Sequence, residues 1–262
     1  MRKGFTKTAL STVAFSCALA VSGLAATSSA QAASVTNDVI FGAGNANGDF
    51  TIIRAGGVEV GLRAKQRFPA ANIFNYDGIN TYTFASGEGS PGRPIWNFEW
   101  SINSNWNGNG GVIDDYNYLL SFDIDPTSGV NFDATYAFDP IHAPNPGAGG
   151  QVLWDHAFGT NATGNGGGTE ATDLASYLLL ISTDNLAQNS WAFNWFAPIN
   201  PNVNGEYAIK LTALDKTSGD VIASTQINVV TTPVPGAVLL FASGLGALGF
   251  AGRKKLKKSE AA

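Results

Sequence analysis

The chain is poor in the residues from which most reactive sites are assembled. Cysteine occurs once, at Cys17, and methionine only at Met1. A single thiol excludes an intrachain disulfide, a Cys-ligated zinc site and an iron–sulfur centre. Histidine occurs twice, at His142 and His156. His156 follows Asp155 in a strand-like run, where neighbours point to opposite faces, so that pair does not make the oriented base of a triad. No Gly-x-Ser-x-Gly elbow, His-Glu-x-x-His or phosphate-cradling glycine loop is present. Charged residues make up 13% of the chain, against ~25% in ordinary globular proteins. The surface must therefore be built largely from Asn, Gly, Ser and Thr.

What charge there is falls unevenly. Residues 33–230 hold 7 basic and 19 acidic residues, a balance of about −12 where the whole chain has −5. The other cations sit at the two ends. A body this acidic repels nucleic acid and anionic lipid, so no nucleic-acid partner is expected.

The ends carry the clearest instructions. Arg2, Lys3 and Lys7 precede an apolar stretch from Ala9 to about Ala26, and small residues at Ala30 and Ala32 follow. This is the pattern of a secretory signal peptide over 1–32 cleaved near Ala32, and apolar residues continuing well past Cys17 argue against lipidation there. At the other end Gly236 to Gly252 is free of charge, and Arg253, Lys254, Lys255, Lys257 and Lys258 follow. As a helix those 17 residues would span ~25 Å, at the short end of what crosses a bilayer. The basic cluster should remain cytoplasmic, which puts everything upstream outside the inner membrane. A core helix is the poorer reading, because nothing after the five cations could cover it.

Pro233-Val234-Pro235, the apolar span and the basic "RKKLKK" together resemble the PEP-CTERM sorting tail, in its "VPLPA"-like form with Val234 in place of Leu. The resemblance covers about the last thirty residues (231–262). Thr232 stands where that form has Val, and no acidic residue lies between the prolines. The resemblance implies recognition and tail removal by an exosortase-type enzyme in a Gram-negative envelope, a transient inner-membrane intermediate, and delivery to the cell surface or the exopolysaccharide matrix of a biofilm.

The body, 33–230, reads as β. "DFTIIRA", "GVEVGLRA", "TYTF", "YLLSFDI", "VNFDATYAF", "YAIKLTAL" and "VIASTQINVV" alternate as strands, and Asn-Gly or Asp-Gly pairs at 47–48, 77–78, 107–108, 109–110 and 204–205 supply turns. One helix is expected in "TEATDLASYLLLIS", with Leu174, Tyr177, Leu178 and Ile181 on one face and Thr169 or Thr172 as cap. The Gly-rich stretches 142–150 and 159–169 read as loops, and Asn161-Ala162-Thr163 fits a glycosylation sequon. "DPTSG" and "DKTSG" stand in similar strand–turn–strand settings, either as a duplication or as one hairpin solution used twice. The expected fold is all-β: an antiparallel β-sandwich, jelly-roll or Ig-like, with one short helix, between the signal and a C-terminal transmembrane helix.

Three constellations compete for function. "IWNFEW" and "SWAFNW" each place an aromatic at every second position: Trp96, Phe98, Trp100 and Trp191, Phe193, Trp195. Both ladders are expected inside, with polar alternates such as Asn97 and Glu99 outside, because a body without disulfides needs that apolar area buried. Trp106, among turn residues, is the candidate for an exposed ring that stacks on sugar. Asp123, Asp125, Thr127 and Ser128, or Asp114 and Asp115, could offer oxygens to calcium, although Asp125-Pro126 reads more simply as a turn and no cofactor is expected. Glu99 is the one carboxylate suggestive of glycoside chemistry, which needs a second beside it. The expected function is therefore a non-enzymatic surface or matrix protein, structural or contacting extracellular polysaccharide. The alternatives are a secreted carbohydrate-active enzyme or a calcium-dependent adhesin.

Overall fold

The computed structural model describes residues 31–33, 47–143 and 155–233. Among them the chain is mostly β, with two large sheets and one α-helix. The first sheet has the order β1 (Gln31–Ala33), β2 (Phe50–Ala55), β3 (Val58–Gln66), β7 (Trp96–Asn103), β11 (Leu186–Trp191), β10 (Ala157–Gly159), all antiparallel. The second runs β4 (Thr81–Ala85), β13 (Val221–Thr232), β12 (Gly205–Asp215), β8 (Tyr116–Asp123), β9 (Ala137–Phe138), antiparallel except where β4 joins β13 in parallel. A two-stranded hairpin, β5 (Glu88–Ser90) and β6 (Arg93–Pro94), stands beside them.

The sequence explains the strands through their alternation. On β13, Ala223, Thr225, Ile227, Val229 and Thr231 are buried and the residues between them are half-exposed, the period of 2 that puts one face of a strand on a core. On β7, Trp96, Phe98, Trp100 and Ile102 face the other sheet, where Phe98 meets Phe122 edge-on at 5.4 Å and Trp96 meets Tyr207 at 6.3 Å. The Thr225 hydroxyl of β13 donates to the Thr51 carbonyl of β2 at 3.0 Å, a direct polar tie between the sheets. Each fully buried large apolar side chain stabilises the fold by about 1.5–3 kcal/mol, and one continuous cluster of them fills the space between the sheets. Packing of this kind does here what disulfides do in many exported domains. The β2–β3 turn needs Gly57 in particular: its φ is +83°, and a Cβ there would lie 2.8 Å from the Gly110 backbone nitrogen.

Four expectations change. First, "VNFDATYAF" is no strand: it is loop, then a 3-10 turn at Ala134–Tyr136, then the two residues of β9. The Asp123 carboxylate accepts from the Asp125 and Asn131 backbone N–H groups and pulls the chain into a closed loop there. "DKTSG" by contrast joins two full strands, β12 and β13, so the two Thr-Ser-Gly turns serve unequal hairpins.

Second, the helix α1 (Leu174–Thr183) forms as expected but turned: Tyr177 and Ile181 are buried, whereas Leu174 and Leu178 are about half exposed (48% and 53%). The Tyr177 hydroxyl donates to the Ile141 carbonyl at 2.7 Å, which fixes the helix rotation. Its cap is Asp173, in a reciprocal pair with Ser176, not Thr169 or Thr172. Third, the polar alternates of the first ladder are buried as well as the aromatics. Fourth, the second ladder leaves the strand after Trp191.

Strand β13 continues through Thr232, two residues past the body boundary at 230. Strand β1 contains Ala32, so cleavage after that residue would leave only Ala33 of it. No helix among the described residues is long and apolar enough to cross a membrane. Ala30, Val234, Pro235, the span 236–252, Arg253, Lys254 and Lys255 lie outside the described residues.

Candidate functional site

Strand pairing sets Glu99 on β7 directly opposite Arg63 on β3, and Lys65 comes from the next outward position of that strand. Glu99 Oε2 accepts from Arg63 Nε, and Lys65 Nζ stands 2.5 Å from Glu99 Oε1. All three side chains are almost completely buried. The Arg63 guanidinium lies over Phe50 at 4.2 Å and Phe74 at 4.8 Å and donates to the Gly48 carbonyl. Burial pulls the Lys65 pKa below its ordinary value, and the Glu99 carboxylate works against that. A general acid needs a free carboxyl beside a cleft, whereas this one is held between two cations. Along the same face Glu59 pairs with Arg54, Gln188 donates to the Ser101 hydroxyl, and Asn185 donates to both Asn103 and Asn161. The Asn161 amide nitrogen in turn donates to the Asn105 carbonyl at 2.7 Å, so the sequon asparagine already ties two loops together.

The two histidines both bond to the Asp139–Pro140 segment. His156 is fully buried, edge-on to Trp100 at 4.9 Å. Its Nε2 lies 2.9 Å from the Pro140 carbonyl, which can only accept, so the proton sits on Nε2. Nδ1 then accepts from the Asn189 amide at 3.0 Å. Burial drives its pKa down to about 3, only partly opposed by the Pro140 carbonyl.

His142 is placed differently, with Nδ1 2.9 Å from Asp139 Oδ2 and Nε2 3.1 Å from Asp114 Oδ1. Two carboxylate acceptors suit the doubly protonated ring, and despite partial burial they raise its pKa. Burial would lift the Asp114 pKa too, but Lys216, 2.7 Å away, and His142 outweigh it and hold Asp114 below the usual carboxylate range. This arrangement is a clasp between loops.

The acidic turns are spent on the backbone. Asp125 accepts from Thr127 N–H, Asp115 from Val112 N–H, and Asp123 from two N–H groups. The Thr127 bonds lower the pKa of Asp125, as expected for a turn carboxylate. No group of three or more His, Cys, Asp or Glu positioned for a metal is found among the described residues.

Two rings remain. Trp106, the expected sugar-stacking ring, is half-buried: Arg54 covers it at 5.0 Å, its backbone N–H donates to the Gly57 carbonyl, and its enclosed Nε1 has no hydrogen-bond partner. Trp195 is the open one, at 46% exposure. It ends the 3-10 turn Phe193–Trp195, and the Arg93 guanidinium of β6 lies over it at 4.6 Å. Sequence reasoning placed Trp195 in the core because it extended the alternation one turn too far. The signal against that extension was close by, in Pro198 and Pro201.

The chain matches no family model, no curated protein and no solved structure.

Proposed function

We propose that this is an exported cell-surface or exopolysaccharide-matrix protein, structural or glycan-contacting, whose body is a β-sandwich and whose tail is removed by an exosortase-type enzyme. The observation that carries the reading is the tripartite tail: Pro233-Val234-Pro235, a charge-free span and a basic cluster. The position of the fold's last strand supports it. Strand β13 ends at Thr232, so the Pro-x-Pro begins at the residue after the strand and is not part of it. A body without thiols, stabilised by aromatic packing and internal ion pairs, also suits life outside the cell.

The alternatives draw less support. A glycosidase needs two carboxyl groups across a substrate, whereas Glu99 is buried between Arg63 and Lys65. A calcium adhesin needs carboxylates free to turn to a cation, whereas Asp114, Asp123 and Asp125 are engaged by Lys216, His142 and backbone N–H groups.

The test is mass spectrometry of the C-terminus of the chain recovered from the surface and matrix of the producing cell. The expected result is a chain lacking the apolar span and basic cluster, and retention of both, at the inner membrane, in a Pro233→Ala/Pro235→Ala variant. Recovery of an intact C-terminus from the matrix overturns the sorting reading.

A further inference from the structure

We infer that the corner between the β5–β6 hairpin and the Phe193–Trp195 turn is a binding site for an acidic polysaccharide, with a pyranose face on Trp195 and a sugar carboxylate on Arg93. The inference rests on the glycan-contacting reading and gives it an address. An exposed tryptophan offers a flat, weakly hydrated surface to the C–H face of a sugar ring. Trp195 is such a surface, and among the described tryptophans it is the most open; Trp96, Trp100 and Trp191 are buried.

The case for an acidic sugar comes from where the cations are. Of the seven basic residues between 33 and 230, Arg54, Arg63, Lys65 and Lys216 are held in ion pairs. Lys210 lies over Phe132 at 4.3 Å. Arg93 touches the Trp195 ring and has no ion-pair partner among the described residues. The hairpin's own carboxylate, Glu88, is turned instead to the Asn202 amide at 3.0 Å. The chain leaving the neighbouring strand β3 is tied to this hairpin through its backbone: the Arg67 N–H donates to the Ile95 carbonyl, two residues beyond Arg93. The planar fork of a guanidinium pairs two-to-two with a carboxylate, and its face can stay on an aromatic ring while its edge does so.

The turn that carries Trp195 is fastened to the hairpin. The Asn194 amide nitrogen donates to the Gly92 carbonyl at 2.8 Å, which fixes Trp195 against Arg93 before any ligand arrives. The other end of that amide, Asn194 Oδ1, is enclosed and has no hydrogen-bond partner. Preorganisation of this kind lowers the ordering cost of binding. The acidity of the body does not forbid an acidic ligand, because charges more than ~8 Å away are largely screened at physiological ionic strength. What decides is the local cation, Arg93 on the Trp195 ring.

The experiment is titration of the full chain with polygalacturonate and with neutral dextran, for the wild type and for Trp195→Ala, Arg93→Gln and Arg93→Lys. Unfolding midpoints are recorded for each, since Trp195 is exposed and Arg93 is half-buried, and a variant whose midpoint falls is read as a folding effect. The expected result is binding to polygalacturonate over dextran, weakened at least tenfold by Trp195→Ala and by Arg93→Gln, with Arg93→Lys between them and the wild type. Polygalacturonate binding left unchanged by Trp195→Ala and Arg93→Gln overturns the site and leaves the glycan-contacting reading standing. Dextran bound as tightly as polygalacturonate, with loss only in Trp195→Ala, overturns the acidic-ligand assignment. Wild-type binding to neither polymer overturns the site, and with it glycan contact for both classes of sugar.

Discussion

The two aromatic ladders are nearly the same sequence and come to different ends. "WNFEW" stays extended along β7, paired with β3 throughout and also with β11 from Phe98 onward, and all three of its rings are buried. "WAFNW" begins as β11, but its last pair is Trp191 with Phe98; beyond that the chain coils, with Trp195 N–H donating to the Ala192 carbonyl. Phe193 falls back into the core against Trp96 at 5.2 Å, and Trp195 is turned out. Alternation thus predicts a face only while neighbouring strands keep the backbone extended. The pairing partner, not the side chains, decides where an aromatic stripe stops being core.

The largest effect should come from the continuous ladder. Trp100→Ala should lower unfolding stability by ~3–5 kcal/mol, read from denaturant melts, because the cavity would open among Trp191, His156 and the sheet backbone with little able to collapse into it. A loss below ~1 kcal/mol would mean that this ring does not sit in a packed core.

The reverse face of the same strand gives the next test. Glu99→Gln keeps the shape but leaves Arg63 and Lys65 buried with no carboxylate between them. The expected cost is on the order of 3 kcal/mol. If the variant also carried an activity the wild type shared, Glu99 would not be catalytic; if stability were untouched, the buried pair would be wrong.

The ladders meet at His156, 4.9 Å from Trp100 and 5.7 Å from Trp191, and that contact gives the comparison a pH dependence. Its folded pKa of about 3 lies below the unfolded value of ~6.5, so the neutral ring favours the fold. Its contribution is complete above pH ~6.5 and is lost as pH falls toward 3, by up to ~1.4 kcal/mol per unit. His142 has the opposite sign: its folded pKa is raised, so its contribution is complete below ~6.5 and is lost as pH rises through the folded value. Stability measured from pH 4 to 9 should fall at both ends. His142→Asn should remove the alkaline decline and leave the acid one.

Much of this was legible in the residues. Strands β2, β3, β4, β8, β12 and β13 follow from period-2 patterns bounded by turn residues, and one helix follows from its own period. What escaped was whatever depended on pairing or on a distant hydrogen bond. The rotation of α1 depends on Tyr177 reaching Ile141, far along the chain. The loss of strand in 130–136 goes with Asp123 accepting from the Asn131 N–H. Burial of Glu99 depends on two cations from β3, which no local pattern announces. The site was legible only in kind: an exposed tryptophan among polar residues was expected, but at Trp106, whose ring Arg54 covers, and not at Trp195.

The smallest stability effect belongs to the residue that carries the binding proposal, and it sharpens the comparison most. Phe193 and Trp195 are two positions apart in one ladder, yet only Phe193 is core. Phe193→Ala should cost ~3–5 kcal/mol, while Trp195→Ala should stay within ~0.5 kcal/mol, since it removes a surface ring and one guanidinium contact. Paired melts of the two variants read this directly. Equal losses would put Trp195 back inside, restore the second ladder as a mirror of the first, and take away the surface on which the acidic-sugar site depends. A large loss for Phe193 beside an unchanged midpoint for Trp195→Ala would mean that the ring is kept at the surface for something other than stability.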